Sequence, residues 1–322
     1  MKRVFPVLLF AFVAPLLAKE RAPANGIVFC SYNVRNYIAP DQASAARKTK
    51  AKPEKEIEVL IKVIAEINPD VLGVCEMGSP AAFDDFKARL EKAGLGHKDS
   101  EYVQADDEDR HLALVSRFPI VRRDSVAKVR YALNGTQQTV KRGFLDVTLQ
   151  VLPGYQLRCV GVHLKSKLPA PEGEALIRRH ESAKLREHLD AILTANPAVN
   201  LLCYGDFNDA KNQPMFSEVS GVRGTPGHMT DLPARDAHGD RWTHHWPVAD
   251  EYARIDYLFA SPGLWPEVKR DTATVYRSDF WEQASDHRPV FVTIIPVEKS
   301  RGSAALKNET PASTRMKAGV RN

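Results

Sequence analysis

The stretch Val199-Asn200-Leu201-Leu202-Cys203-Tyr204-Gly205-Asp206-Phe207-Asn208 decides the fold class of this 322-residue chain. Its first part, Val199–Tyr204, is a short apolar run of the kind that forms a strand buried on both faces. A carboxylate and an amide, Asp206 and Asn208, follow directly where that strand ends. An ionised carboxylate beside a buried strand costs desolvation free energy unless a cation or hydrogen bonds compensate it. The stretch therefore predicts a sheet-based fold with a polar site at the strand ends.

Polar residues of the same kind stand at the ends of further apolar segments. All are Asn, Glu, Asp or His, which are residue types that bind metal ions or contact phosphate. They are Asn33 after Ile27–Tyr32, Glu76 ending Val71–Glu76, His163 in Leu157–Leu164, Asp256 in Ile255–Ala260, and Asp286-His287 before Pro289–Ile295. So many polar strand ends in one chain predict one shared site.

Segments with helical periodicity are interspersed among these strands. Glu54–Ile67 has apolar residues at the i, i+3, i+4, i+7 spacing of an amphipathic helix. The other predicted elements are helices over about 83–93 and 173–195 and strands over His111–Ser116, Ile120–Val129 and Gly143–Val151, with 209–250 irregular. Because strands outnumber helices, two packed sheets with helices on the outside are the arrangement that buries every apolar face.

The ligand types indicate the metal. Asn, Asp and Glu oxygens without cysteine suit Mg²⁺, or Mn²⁺, rather than zinc. Mg²⁺ commonly takes one or two carboxylates and leaves other positions to water and substrate phosphate. Two histidines nearby supply acid–base or phosphate-contacting groups. The set predicts metal-assisted hydrolysis of a phosphate ester.

The order of the motifs resembles the endonuclease/exonuclease/phosphatase superfamily, which includes deoxyribonuclease I, the AP endonucleases, neutral sphingomyelinases and inositol-polyphosphate 5-phosphatases. The motifs lie within about 27–295 and are Tyr32-Asn33-Val34-Arg35, Val74-Cys75-Glu76, Gly161-Val162-His163-Leu164-Lys165-Ser166-Lys167, Gly205-Asp206-Phe207-Asn208, Arg254-Ile255-Asp256-Tyr257 and Ser285-Asp286-His287-Arg288-Pro289. The resemblance implies a deoxyribonuclease I-like α/β fold, a four-layer α/β/β/α sandwich of two mixed β-sheets flanked by helices. The site is expected at one edge, between the sheets.

The resemblance also implies a role for each matching residue. Asn33 and Glu76 are expected to hold the divalent metal, with Asp286 as a further ligand or metal-water contact, and Asp206 to activate the attacking water. The other expected roles are phosphate contact for Asn208, His287 and Arg142, orientation of His287 by Asp256, contact with the phosphate or leaving oxygen for His163, and orientation of His163 by Asp109. The histidines of Trp242-Thr243-His244-His245-Trp246 are expected to pack in the core.

The net charge of +5 is concentrated at the two ends of the chain. Lys2 and Arg3 contribute +2, and residues 298–322 hold six basic and two acidic residues, or +4. Residues 19–297 therefore carry −1, so the bulk charge does not predict a polyanionic partner. The hydrophobic fraction of 43% and charged fraction of 26% exclude collagen-like, coiled-coil and wholly disordered classes.

Residues 1–18 have the pattern of a secretory signal peptide. Lys2-Arg3 is a basic start, Val4–Leu17 is an uncharged apolar run, and Ala18 is a small residue before a cleavage point. The run is shorter than the roughly 20 residues that a spanning helix needs. We expect a secreted or periplasmic monomer without a membrane span after cleavage and without a stable protein partner. It would have one catalytic domain over 25–297 and a basic disordered tail over 298–322.

The four cysteines, Cys30, Cys75, Cys159 and Cys203, all lie in short apolar runs. Buried free cysteine behaves as a small hydrophobic residue, so this context favours reduced core thiols. No pair has the CxxC spacing of a zinc site. One cross-strand disulfide remains an open alternative.

The substrate stays open among three possibilities because fold and chemistry do not determine it. A nuclease acting on DNA or RNA is favoured, since His163-Leu164-Lys165-Ser166-Lys167 followed by an arginine-rich helix resembles secreted bacterial nucleases. The alternative is a phosphatase or phospholipase C-type hydrolase acting on inositol phosphate or sphingomyelin, although no exposed apolar hairpin is evident from the sequence. A binding module without activity would require the loss of a key residue, and none is missing.

Overall fold

The computed structural model describes residues 26–44 and 49–297. The predicted signal peptide over 1–18 and the predicted tail over 298–322 lie outside the described residues. The strands are β1 (Ile27–Tyr37), β2 (Val71–Met77), β3 (Asp99–Val103), β4 (His111–Ser116), β5 (Ile120–Arg123), β6 (Arg130–Leu133), β7 (Thr136–Thr139), β8 (Leu145–Leu152), β9 (Tyr155–His163), β10 (Leu201–Asp206), β11 (Thr230–Asp231), β12 (His244–Trp246), β13 (Glu251–Ala253), β14 (Asp256–Ala260), β15 (Val268–Val275) and β16 (Val290–Ile294). The α-helices are α1 (Glu54–Ile67), α2 (Pro80–Lys92), α3 (Glu174–Ala195), α4 (Pro214–Ser220) and α5 (Trp281–Ala284).

Twelve of these strands form two six-stranded mixed sheets. The first sheet has the order β15-β16-β1-β2-β4-β3, and the second has the order β11-β14-β10-β9-β8-β5. The pairs β1–β2 and β9–β10 are parallel, and each is connected through a helical crossover. The remaining strands form two separate hairpins, β6–β7 and β12–β13.

Three apolar clusters define four layers. Residues of the inner faces of both sheets, such as Phe29 and Leu145, form the central cluster between the sheets. The outer face of the first sheet packs against α1 and α2 through residues such as Leu60 and Phe86. The outer face of the second sheet packs against α3 and α4 through residues such as Leu185. The predicted α/β/β/α sandwich is confirmed.

The ring of Tyr204 fills the space between the two sheets. Tyr204 on β10 is buried and its ring centroid lies 4.8 Å from that of Phe29 on β1, in edge-to-face contact. A Cβ atom at Gly73 on β2 would lie 2.0 Å from this ring, and one at Gly161 on β9 would lie 2.6 Å from its hydroxyl oxygen. Both glycines are therefore required by the close approach of the ring rather than by a turn.

The sequence located most of the elements that build the two sheets. The helix Glu54–Ile67 has its predicted bounds, and it ends where Asn68 adopts a left-handed conformation with φ of 52°. The first strand runs on to Tyr37, beyond its predicted end, and the strand predicted over Ile120–Val129 stops at Arg123. The region 209–250, predicted irregular, contains α4 and β12.

All four cysteines are buried and free, as the apolar context predicted. Among residues 26–44 and 49–297, no helix combines the length and apolar character needed to cross a bilayer.

We expect Gly73→Ala to destabilise the protein strongly, because its new methyl group overlaps the Tyr204 ring inside a packed core. Overpacking of this kind costs about 1–3 kcal/mol of unfolding free energy. Gly96→Ala is the matched control, since a Cβ atom there meets nothing within 4 Å. Urea unfolding of both variants measures the difference. Equal stabilities would show that the sheets can move apart around Tyr204.

Candidate active site

Three of the predicted site residues stand side by side because of strand register. Asp206 at the end of β10 pairs with His163 at the end of β9 and with Asp256 at the start of β14. All three are at least 97% buried. The register of the second sheet therefore places one imidazole and two carboxylates in a row at the same edge.

The first sheet contributes Asn33 and Glu76 from its two parallel strands. The amide nitrogen of Asn33 donates to Glu76 Oε1 at 3.3 Å and, across the gap between the sheets, to Asp206 Oδ2 at 3.1 Å. Glu76 has a φ of 64°, in the left-handed region, and its Oε2 accepts a hydrogen bond from the backbone N–H of Asn36 at 2.9 Å. A non-glycine residue with this φ carries backbone strain, which concentrates at functional sites.

The segment before β16 places Asp286 and His287 against the same edge. The Ser285 hydroxyl donates to the Asn33 carbonyl at 2.8 Å and accepts from the His287 N–H at 3.1 Å. The Asp286 carboxylate is 31% exposed and lies 3.7 Å from the Arg35 guanidinium. The structure thus brings Asp286 to the mouth of the site, with His287 behind it.

His287 and Asp256 form a buried ion pair. Nδ1 of His287 lies 2.9 Å from Asp256 Oδ2, and its Nε2 lies 3.7 Å from Asp206 Oδ2. Burial alone would lower the pKa of His287, but the Asp256 and Asp206 carboxylates outweigh it and raise the pKa to about 10. With this pKa, His287 is a cation at neutral pH, and its Nδ1 is fixed by Asp256.

Asp206 is a buried carboxylate whose pKa is shifted toward neutrality. Burial and the neighbouring Asp256 carboxylate raise the pKa of Asp206 to about 7, against the opposing charge of His287. Its Oδ1 accepts the Asn208 backbone N–H at 2.8 Å, which leaves Oδ2 toward Asn33 and His287. A carboxylate with a pKa near neutrality is well matched to take a proton at pH 7.

Asn208 is held in place by the strand ends around it. It has a φ of 55°, and its side-chain amide nitrogen donates to the Leu164 carbonyl at 3.0 Å. This bond ties the segment after β10 to the segment after β9. Asn208 thus lies directly beside Asp206, where the sequence placed it.

His163 is a neutral imidazole. Its Nε2 lies 3.6 Å from Asp206 Oδ2 and 3.9 Å from Glu76 Oε1. Burial, followed by the positive charges of Arg142 and His287, lowers its pKa well below the usual range. A neutral imidazole donates and accepts hydrogen bonds but brings no charge to the site.

The predicted contact between Asp109 and His163 is not formed in the structure. Nδ1 of His163 is buried and has no hydrogen-bond partner among the described residues. Asp109 Oδ2 instead accepts a hydrogen bond from the Thr49 hydroxyl at 2.6 Å. The orientation of His163 by Asp109 therefore stays a prediction.

Arg142 is close enough to the site for its charge to lower the pKa of His163. Its guanidinium is nearly buried, and Nε lies 2.9 Å from the Asp107 carboxylate. Behind it, Glu181 on α3 is buried, and burial raises its pKa to about 7 despite the Arg142 charge. Sequence reasoning missed Glu181, whose Oε2 accepts the Lys165 N–H at 2.6 Å and so holds the loop after His163.

Sequence reasoning also missed two residues around the carboxylates. Lys52 is buried, and its ammonium donates to the carbonyls of Ala284 at 2.8 Å and Arg35 at 3.3 Å, which joins the segments that carry Asp286 and Asn33. His244, expected in the core, lies against His287 with ring centroids 4.7 Å apart. Because the sequence predicted 209–250 to be irregular, the alternation along β12 that turns His244 toward His287 and His245 away from it was not foreseen.

The donor set fits a divalent cation. Glu76, Asp206, Asp256 and Asp286 place four carboxylates at one edge. The His287 imidazole lies among them, the Lys52 ammonium bonds carbonyls behind them, and Arg35 and Arg110 approach to 3.7 Å at the rim. Asp206, Asp256 and His287 also offer ligand atoms within 4.8 Å of one another, although Nδ1 of His287 already lies 2.9 Å from Asp256 Oδ2. Assignment of the metal to Asn33, Glu76 and Asp286 stays a prediction.

In the metal-free protein, the His287 ion pair predicts stability that is lost at alkaline pH. An unfolded histidine titrates near 6.5, whereas folded His287 holds its proton to about 10. The stabilisation is therefore complete below about pH 6.5 and disappears as the pH rises through about 10. In EDTA, the melting temperature should fall between pH 7 and 10 for the wild type and much less for His287→Gln. Exposed His238→Gln is the control, and identical profiles for all three would contradict the ion pair.

Comparisons with known proteins identify the family and the fold. Residues 30–287 match the model of the Endonuclease/Exonuclease/phosphatase family. No curated protein sequence matches the chain. Solved structures with the same fold include sphingomyelinase C from Streptomyces griseocarneus, at 18% identity and a TM-score of 0.58 over 84% of this chain and 99% of that one. The catalytic domain of human nocturnin matches at 19% identity and a TM-score of 0.59, over 83% of this chain and 93% of that one.

Truncated TDP2 from Caenorhabditis elegans is a third similar structure, at 17% identity and a TM-score of 0.55 over 83% of this chain and 96% of that one. These identities are low, so the structural likeness supports the fold, while the family model supports membership. The chain therefore belongs to the endonuclease/exonuclease/phosphatase family, a superfamily of metal-dependent phosphoric ester hydrolases.

Proposed function

We propose that this protein is an exported, Mg²⁺-dependent phosphodiesterase that acts on DNA or RNA. The observation that carries the proposal is that a carboxylate and a cation, Asp206 and His287, lie side by side at one edge of the site. Asp206 is a buried carboxylate with a pKa of about 7, and His287 beside it is a buried cation. A base poised near neutrality next to a fixed positive charge suits attack of water on a phosphate ester.

The metal in this proposal is held by Asn33 and Glu76, with Asp286 at the mouth of the site as a further ligand or metal-water contact. Asn33 and Glu76 are joined by a hydrogen bond, and Ser285 ties the Asp286 segment to Asn33. Oxygen ligands of this kind suit Mg²⁺, and Mn²⁺ as a substitute. A bound divalent cation supplies positive charge that polarises the phosphate and stabilises charge developing on its oxygens.

Each side chain of the site has a separate role in the proposed reaction. Asp206 Oδ2 accepts a proton from the attacking water, and the Asn208 N–H on Oδ1 fixes the orientation of the carboxylate. Asp256 keeps His287 protonated and oriented, so that it donates a hydrogen bond to the phosphate. Asn208 and Arg142 add further phosphate contacts, and neutral His163 faces the phosphate or the leaving oxygen. Rigid placement of these groups supplies much of the rate acceleration.

Nucleic acid is the preferred substrate because basic residues border the site on its second-sheet side. Lys165 and Lys167 lie two and four residues after His163, and the Arg142 charge acts on the His163 ring. The near-neutral charge of residues 19–297 predicts few backbone contacts beyond these and a shallow dependence of binding on salt.

A specific observation favours a lipid phosphate as the second candidate substrate. The sequence showed no exposed apolar hairpin, but the structure contains one in β12–β13, where Trp246 is 50%, Val248 86% and Tyr252 48% exposed. Exposed apolar side chains next to a catalytic site suit contact with a lipid surface. The similar fold of sphingomyelinase C keeps sphingomyelin as the alternative.

The decisive experiment is a substrate panel. Plasmid DNA, RNA, sphingomyelin vesicles and inositol phosphates are each incubated with the protein and Mg²⁺, with and without EDTA. We expect cleavage of DNA or RNA that EDTA abolishes. Hydrolysis of lipid or inositol phosphate without cleavage of nucleic acid would replace the substrate, and EDTA-resistant cleavage would contradict the metal requirement.

Two variants in the same assay distinguish the loss of the proton acceptor from the loss of a metal ligand. Asp206→Asn should lower kcat by about 10²–10⁴ because it removes the proton acceptor while keeping the shape of the side chain. Glu76→Gln should mainly raise the Mg²⁺ concentration needed for half-maximal activity, because it removes a charged ligand. Full turnover in Asp206→Asn would exclude its role as the base.

Export is proposed from the basic start and apolar run of residues 1–18. Expression of the full chain in a bacterial host should release a protein whose N-terminus, read by mass spectrometry, lies near Lys19. A product that stays in the cytoplasm with Met1 intact would contradict export without affecting the proposed chemistry.

A further inference from the structure

The β12–β13 hairpin is attached to the catalytic segment by its backbone. The His244 backbone bridges to that of His287, the His245 N–H donates to the Asp286 carbonyl at 2.9 Å, and the Arg288 N–H donates to the Thr243 carbonyl at 2.6 Å. These contacts form a short antiparallel pairing between the hairpin and the segment that carries Asp286 and His287. The hairpin is therefore a wall of the site with a fixed position relative to the phosphate-contacting histidine.

The two histidines of the hairpin point in different directions. The ring of His245 stacks on Tyr252, with centroids 4.2 Å apart and planes 9° apart, and its Nε2 lies 3.3 Å from Asp250. The ring of His244 instead faces His287, with centroids 4.7 Å apart and planes inclined by 51°. Strand alternation explains the difference, because successive side chains leave a strand on opposite faces.

The His244 imidazole packs against His287, but its ring nitrogens make no hydrogen bond to any residue in the part of the chain that the structure describes. Its side chain is only partly buried. Burial and the charge of His287 lower its pKa, so the ring is neutral and keeps one N–H to donate. Lys167, from the loop after His163, is near enough for its charge to act on the same ring. His244 thus faces the space bordered by His287 on one side and the His163 loop on the other.

We propose that His244 is a substrate-contacting residue that binds the phosphate group together with His287, from the hairpin side of the site. The inference rests on the proposed phosphodiesterase function, and it adds a second imidazole to that site. Because His287 and His244 lie on paired backbone segments in fixed register, their rings face the same space and can contact one anion together. His244 takes no proton from the substrate in this role and serves as a hydrogen-bond donor.

The test compares His244→Ala, His244→Gln and His245→Ala on the small diester bis(p-nitrophenyl) phosphate with saturating Mg²⁺. Loss of a hydrogen bond to a charged group should lower kcat/KM about 10- to 100-fold in His244→Ala. His244→Gln keeps an N–H donor and should recover part of that loss. His245→Ala disturbs the same hairpin without touching the site and should stay within about twofold of wild type.

A second measurement separates phosphate contact from simple loosening of the hairpin. The increase in melting temperature caused by inorganic phosphate with Mg²⁺ should be smaller in His244→Ala than in wild type, whereas the Mg²⁺ concentration for half-maximal activity should not change. Activity and phosphate protection at wild-type levels in His244→Ala, or equal losses in His244→Ala and His245→Ala, would overturn the inference. If the wild type cleaves no diester, the proposed function fails, and the phosphate-protection arm still decides the role of His244.

Discussion

The arrangement of the site depends on two buried carboxylates, Asp206 and Asp256, that lie in register on paired strands. Strand pairing between β10 and β14 places them opposite each other, where like charges out of water repel strongly. His287, on the segment before β16, offsets that repulsion. The segment must therefore pass this edge of the sheet. Two further contacts hold that segment in place. The Ser285 hydroxyl donates to the Asn33 carbonyl, and the Lys52 ammonium donates to the Ala284 carbonyl.

Both sheets contribute to the site, so its geometry depends on their separation as well as on local contacts. The Asn33 amide is the direct link, since it donates to Glu76 within its own sheet and to Asp206 in the other. A single amide therefore spans the gap between the proposed metal site and the proposed base. The arrangement explains why a fold with two packed sheets suits a reaction that needs a cation on one side of a phosphate and a base on the other.

The sequence predicted the site better than it predicted its surroundings. The polar side chains of the site were predictable because each lies at one end of a buried apolar segment, and strand pairing brings those ends to one edge. They are Asn33, Glu76, His163, Asp206, Asp256 and His287. His244 was expected in the core instead, because residues 209–250 were predicted to be irregular and no predicted strand there indicated which way its ring points. The hairpin β6–β7 and the edge strand β15 were also missed, since half-exposed short strands lack a strong apolar signal. The left-handed backbone of Glu76 leaves no trace in residue type at all.

The Tyr204 ring links positions that are far apart in the chain. Its volume is accommodated only because Gly73 and Gly161 have no side chain, one on the opposite sheet and one on the neighbouring strand. The side-chain volumes at Tyr204, Gly73 and Gly161 are therefore coupled, and a change in size at one position requires a change at another. In divergent members of the family, a smaller residue in place of Tyr204 should accompany a larger one at one of the glycine positions. Such covariation would let the distance between the two sheets be inferred from sequences alone.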